Sequence, residues 1–228
     1  MFIEAVELKF LQANPMGRVK LPKCKRAEKP VLPADDARRL YFALPGFRDQ
    51  LIFRMAVIWG PRTSEIVGLT VDCWKGNHFE IHHTAYKGEL RRVKVKTENS
   101  FRTVPVPVEM RGMIERWIAE AGLSETDVLF PGRDGKSPMW GNTWLQKHVQ
   151  RVAKEIGITV SITFQVLRRS FVTRHRHELK DAAAVVGHSN YATTTANLYA
   201  QSVEESVRRM VEEDERMIFV RHATENVP

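Results

Sequence analysis

Residues 185–201 read VVGHSNYATTTANLYAQ, with Tyr191 and Tyr199 three and eleven positions after His188. A tyrosine hydroxyl becomes a nucleophile when its surroundings activate it. Spacing alone does not choose between the two: Tyr191 could share a helix face with His188, and Tyr199 follows a run of threonines. Other side chains stand beside turns. Arg62 follows the helix break Gly60-Pro61, Lys96 lies at a strand end beside a hairpin turn, and His188 follows Gly187 at a helix junction. Taken singly, each also reads as a solvated arginine, a surface lysine or a capping histidine.

Metal and nucleotide chemistry find less support. His175 and His177 are two apart on a predicted helix, about 200° around its axis, and cannot chelate one ion. His82 and His83 are adjacent on a predicted strand and are expected to point to opposite faces. Cys24 and Cys73 form no CxxC pair, so neither a zinc site nor a disulfide framework is expected. There is no glycine-rich phosphate loop and no GxSxG elbow. No metal and no cofactor are expected.

The elements that must position these residues follow from periodicity. Residues 1–13 read as the end of a helix, and NPMGRVKLPKCKRAEKPVLP as an extended basic linker, because its prolines and glycine oppose helix. LPADDARRLYFAL starts a helix behind Pro33, with two aspartates in its first turn. FRDQLIFRMAVIW has helical spacing up to Gly60-Pro61, and TSEIVGL starts a new turn. From about residue 78 the period is two: HFEIHHTA, LRRVKVKT and RTVPVPV read as three short strands, with turns at YKGE and TENS. Helical spacing then returns through residue 220. The expected fold is mainly α (α+β): a helical domain with a small three-stranded antiparallel sheet.

The 228 residues carry a formal charge of +8, unevenly placed. Residues 17–29 hold six bases against one acid, residues 87–102 six against two, and residues 204–216 six acids against three bases. Such a distribution fits a cationic face for DNA or RNA and a separate end facing something else. Surplus lysine kept for solubility is the plainer reading. No apolar run reaches the roughly 18 residues of a membrane span, and a cytosolic protein is expected.

Together, in order and context, these segments resemble the catalytic domain of the tyrosine recombinase, or phage integrase, family. GPRTSEIVGL puts Arg62 in the place of the first arginine, with Glu65 at the supporting acidic position. KTENSFRTVPVP matches Lys96 to the hairpin lysine, and QVLRRSF matches Arg168 to the second arginine. The GH at 187–188 and NLYA give His188 and Tyr199. The resemblance runs from about residue 30 to 205 and favours Tyr199 over Tyr191, with a small insertion near Asn190 and Tyr191. It implies a fold of the DNA breaking-rejoining enzyme type and a site-specific recombinase of a phage or other mobile element, acting on double-stranded DNA as a homotetramer and monomeric when free. Neither metal nor nucleotide would be needed.

The roles implied by the resemblance suit the side chains. Arg62 and Arg168 would clamp the non-bridging oxygens of a phosphodiester, and Tyr199 would attack the phosphorus. Lys96 would protonate the leaving 5′ oxygen, and His188 would donate to the phosphate.

Two departures stand out. Gln165 occupies a position where the family most often has histidine, and an amide cannot accept the tyrosine proton at neutral pH. Residues 1–32 resemble only the end of a core-binding domain and its basic linker, with the catalytic domain over 33–228, so a longer parent protein is expected. A DNA-binding module with weakened cleavage and a type IB topoisomerase-like relaxer are the alternatives. The amphipathic tail, with Val203, Val207, Met210 and Met217 among its apolar positions, either packs on its own domain or docks on a neighbouring subunit, as often in this family.

Overall fold

The computed structural model describes residues 2–19, 29–92, 102–175, 178–186 and 200–219. The chain opens with α1 (Phe2–Glu7), none of whose residues is buried, so the helix expected over 1–13 is confined to its first half. A 3-10 turn follows at Pro15–Arg18, where the Asn14 side chain accepts from the Met16 amide at 3.0 Å. Helix α2 (Ala34–Ala43) starts behind Pro33 with Asp35 and Asp36 in its first turn, where acids suit the helix dipole. Helix α3 (Phe47–Trp59) is buried at every position from Leu51 to Trp59. A helix apolar on all sides belongs at the centre of a domain, and α3 packs against α2 and two helices described below, α5 and α8. Gly60 ends it in the left-handed region, at φ 52°.

After Gly60-Pro61 comes the single turn α4 (Thr63–Ile66), then a 3-10 turn at Val71–Cys73. The strands are β1 (His78–Ile81), β2 (His83–Tyr86), β3 (Glu89–Arg92) and β4 (Arg102–Pro105). Strand β1 pairs antiparallel with β4, placing Phe79 opposite Val104 and Ile81 opposite Arg102. Strand β2 pairs with β3 across Lys87-Gly88, whose φ values of 52° and 81° are those of a type I′ hairpin turn. The expected YKGE turn is therefore present, whereas TENS lies outside the described residues.

The sheet differs from the sequence reading. HFEIHHTA was expected to be one strand of a three-stranded sheet; it breaks at His82 into β1 and β2, which belong to separate two-stranded ribbons. Side chains alternate faces only along an unbroken strand. With the break, the His82 and His83 rings meet at 4.6 Å instead of pointing to opposite faces.

Helical structure resumes with α5 (Val108–Glu120) and α6 (Gly141–Trp144). A π-turn at Leu145–Val149 runs on into α7 (Gln150–Glu155). Helix α8 (Phe164–Arg174) is capped by Thr163, whose hydroxyl accepts from the Val166 amide at 3.1 Å. Helices α9 (Leu179–Val186) and α10 (Ala200–Phe219) complete the described chain. Buried tryptophans use their N–H groups as pegs: Trp59 donates to the Pro105 carbonyl at 3.1 Å and Trp144 to Asp49 at 2.8 Å. Among the described residues no helix is long and apolar enough to cross a membrane.

Helix α10 packs on its own domain, against α2, α3, α9 and β4. Val207, Val211 and Ile218 are buried, with Met210 and Phe219 beside them. Met217, expected on the apolar face, is half exposed, and the Val203 side chain lies outside the described residues. The acids of this segment do not all face away from the domain, because Asp214 and Glu215 are buried in its packed face. Asp214 takes Arg174 at 2.8 and 2.7 Å, and Glu215 pairs with Arg54. Burial alone would raise the Asp214 carboxyl, but His175 and Arg174 hold it below its ordinary value.

Two glycines should respond in opposite directions to the same substitution. A Cβ on Gly68 would stand 2.6 Å from the backbone of Thr84 and Ala85 in β2, whereas one on Gly112, inside α5, would meet nothing within 4 Å. Gly68→Ala is expected to lose roughly 1–3 kcal/mol through overpacking, and Gly112→Ala to gain about 0.5–1 kcal/mol from helix propensity. Urea denaturation midpoints of both variants check the two signs.

Candidate active site

The left-handed turn at Gly60 brings the end of α3 against α8. A Cβ at Gly60 would lie 3.0 Å from the Arg168 Cα, and the Gly60 carbonyl accepts from Arg168 Nη1 at 2.8 Å. The chain then turns through Pro61 into α4, where Arg62 is the residue just before the first turn. Glu65, three residues on, reaches back so that Oε2 accepts the Arg62 amide at 2.9 Å and Oε1 the Arg62 guanidinium at 2.7 Å. This is half of a capping box, with the carboxylate turned inward.

A third arginine completes the arrangement. Arg102, at the start of β4, donates through Nη1 to Glu65 Oε2 at 2.8 Å and to the Val186 carbonyl at 3.0 Å. Arg168 Nη2 contacts the same Val186 carbonyl, at the end of α9. Arg62 is 53% exposed at its side chain and Arg102 only 15%, so Arg62 faces the solvent side and Arg102 the interior.

The electrostatics follow from this packing. Burial alone would raise the Glu65 carboxyl, but Arg102 and Arg62 bring it below its ordinary value. Burial, together with repulsion from Arg62 and Arg102, lowers the Arg168 guanidinium to about 10, so it stays charged at neutral pH. Three guanidiniums therefore face one carboxylate. Arg62, Thr63, Ser64, Gln165 and Arg168 line a cleft of about 460 Å³ together with Pro61 and Phe164. Arginines fixed by their neighbours in a cleft of this charge can hold a tetrahedral oxyanion.

A model of the phage integrase family matches residues 30–206. The chain belongs to the phage integrase family. It is similar to the tyrosine recombinase XerD of Pseudomonas aeruginosa, 31% identical over 161 residues, which is 65% of this chain and 48% of that protein. It is also similar to the tyrosine recombinase XerC of Ralstonia pickettii, 29% identical over 199 residues, 80% of this chain and 60% of that one. The chain thus spans about half to three fifths of the length of these curated relatives. In fold it resembles the Tn1549 transposon integrase solved with transposon right-end DNA, with a TM-score of 0.63 at 18% identity over 91% of this chain and 75% of the other. The XerA recombinase superposes with a TM-score of 0.58 at 20% identity, over 91% of this chain and 73% of the other.

In this integrase-family chain, four of the residues singled out from sequence come together: Arg62, Glu65, Gln165 and Arg168. Lys96, His188 and Tyr199, and with them Tyr191, lie outside the described residues. The sequence reading missed Arg102, counting it only in a basic run. A signal was available in its parity, because Arg102, Val104 and Val106 share one face of an alternating segment and both valines are buried.

Arg102→Met tests the pairing of Glu65. Removing one partner of a buried ion pair costs roughly 3–5 kcal/mol when the other charge is left alone; Glu65 keeps the Arg62 amide and guanidinium, so the loss here is expected below that range. The folded Glu65 carboxyl lies below the unfolded value of about 4.3, so its stabilisation is present above that pH and is lost as pH falls through the folded value. The stability gap between wild type and Arg102→Met should therefore narrow below about pH 4. Urea denaturation at neutral pH and at about pH 3 reads the difference.

Proposed function

We propose that this chain is the catalytic part of a site-specific DNA recombinase that cuts and rejoins strands through a 3′-phosphotyrosine. The observation that carries the reading is the convergence of Arg62 and Arg168 on one cleft beside Gln165. Tyr199 Oη attacks the scissile phosphorus, and a bond forms to the 3′ phosphate as the 5′ oxygen leaves. Lys96 protonates that oxygen, His188 donates to the phosphate, and Arg62 and Arg168 hold the non-bridging oxygens. Attack by the 5′ hydroxyl of a partner strand reverses the step and releases Tyr199. The phosphodiester bond is conserved, so the reaction draws on no nucleotide.

Exchanging both strands of two duplexes requires four cleavages with one tyrosine each, which supports a homotetramer on DNA assembled from free monomers. The family match and the fold likeness to the Tn1549 transposon integrase support an origin in a phage or other mobile element.

Covalent capture is the direct test. The chain, alone and fused behind the N-terminal part of a curated relative, is mixed with nicked and supercoiled DNA and with candidate attachment sites in chelator. It is then denatured and mapped by mass spectrometry after the DNA is digested. An adduct on Tyr199 that persists in Tyr191→Phe and vanishes in Tyr199→Phe is expected. No adduct with either protein on any DNA would favour a binding module without cleavage.

Gln165 favours a slower version of the same enzyme. With an amide in the cleft, the Tyr199 proton passes to water instead of to a base at that position. General acid-base help is typically worth about 10²–10⁴-fold, so Gln165→His is expected to raise the single-turnover cleavage rate by at least about tenfold. An unchanged rate would show that position 165 handles no proton.

A further inference from the structure

Outside the cleft, four side chains with metal-binding atoms converge where the 3-10 turn Val71–Cys73 meets the corner between β1 and β2. One donor atom from each of Asp72, Cys73, His82 and His83 can be chosen so that all four lie within 4.8 Å of one another. His82 Nε2 is 3.2 Å from Asp72 Oδ2 and 3.6 Å from Cys73 Sγ. Around an ion with bonds of 2.0–2.3 Å the edges of a tetrahedron measure about 3.3–3.8 Å, so these two separations are already of that length. His83 supplies the fourth donor, and its Nδ1 is 3.2 Å from the Thr70 hydroxyl.

Thr70 marks the point of convergence. Its hydroxyl lies against Asp72 Oδ1, 3.1 Å from Cys73 Sγ and 3.2 Å from His83 Nδ1. The hydroxyl donates to Asp72 and can accept from the Cys73 thiol and from a His83 Nδ1–H, so one small group holds three of the four donors around a common point. Cys73 is buried and the other three donors are half-buried. The site shares no residue with the arginine cleft.

We propose that Asp72, Cys73, His82 and His83 form a tetrahedral structural site for Zn²⁺. One thiolate and one carboxylate balance the charge of a divalent ion, and mixed sulfur, imidazole and carboxylate donors suit zinc over magnesium or calcium. Thr70 keeps its hydroxyl on Asp72 and orients the carboxylate, a usual role for a hydrogen-bonding group around a metal. The ion fastens the corner after β1 to the segment that follows α4. His83 faces Arg92 across the base of the β2–β3 hairpin, so that base is fixed with it, just before the chain runs on toward Lys96. Thiolate ligation releases a proton from Cys73 as the ion binds.

Co²⁺ serves as the spectroscopic probe and Zn²⁺ as its competitor. The chelator-treated chain is expected to bind one equivalent of Co²⁺, with the intense visible bands of a tetrahedral ion and a thiolate-to-cobalt charge-transfer band, all erased by one equivalent of Zn²⁺. Cys73→Ser should lose the charge-transfer band and His83→Gln the stoichiometric binding, while Cys24→Ser and His148→Ala retain both. In the unaltered chain, zinc X-ray absorption should show one sulfur and three nitrogen or oxygen neighbours. No stoichiometric binding, bands that survive in both Cys73→Ser and His83→Gln, or a zinc shell without sulfur would each overturn the assignment. None of these readouts depends on DNA cleavage.

Discussion

A buried carboxylate must be paired, and the candidate site is organised around how Glu65 meets that requirement. Leaving it ionised and unpartnered would cost several kcal/mol. It takes the Arg62 amide, the Arg62 guanidinium and the Arg102 guanidinium. From there a circuit can be followed that hydrogen bonds make and the backbone from Gly60 to Arg62 closes. Arg102 reaches the Val186 carbonyl, Arg168 shares that carbonyl and also holds Gly60, and Gly60 leads through Pro61 back to Arg62. The circuit ties together the end of α3, α4, β4, α8 and α9. Because it contains three guanidiniums and one carboxylate, its surplus charge is positive at the cleft.

Helix α8 carries a similar arrangement at its other end. Arg168 faces the cleft, and six residues later Arg174 binds Asp214 of α10 and the Val57 carbonyl of α3. Arg54 of α3 pairs with Glu215 of α10 beside it, against the rings of Tyr41 and Phe219. The two acids stand on the face that buries Val211 and Ile218. Unpaired they would oppose docking, and paired they fix the register in which α10 lies on the domain. The same central helix therefore supports the cleft at its C-terminal end and the last helix along its side.

The sequence made some of this visible and hid the rest for physical reasons. Arg62, Glu65, Gln165 and Arg168 were legible because they sit in short segments whose order can be recognised. Lys87-Gly88 was legible because a two-residue turn with positive φ selects its residues. The break at His82 was not, since HFEIHHTA alternates well enough for one strand and only pairing with β4 and β3 separates its halves. By sequence, Asp214 and Glu215 count only in an acidic run facing something else, because their partners, Arg174 and Arg54, are remote along the chain. For Lys96, His188 and Tyr199 the case remains the motif.

Val186 shows how the arginine pair and the following segment are coupled. Its carbonyl accepts from Arg102 and Arg168 and lies two residues before His188, so the anchor that orients the guanidiniums also fixes where the chain toward His188 and Tyr199 departs. A guanidinium has five N–H donors in a rigid plane. Arg168 uses two of them on the Gly60 and Val186 carbonyls among the described residues, which sets the plane and leaves donors for an anion. Carbonyl anchors do not titrate, so neither of these two partners of Arg168 changes with pH. An oxyanion held in the cleft would meet a donor array already aimed, and no binding energy would be spent on ordering it.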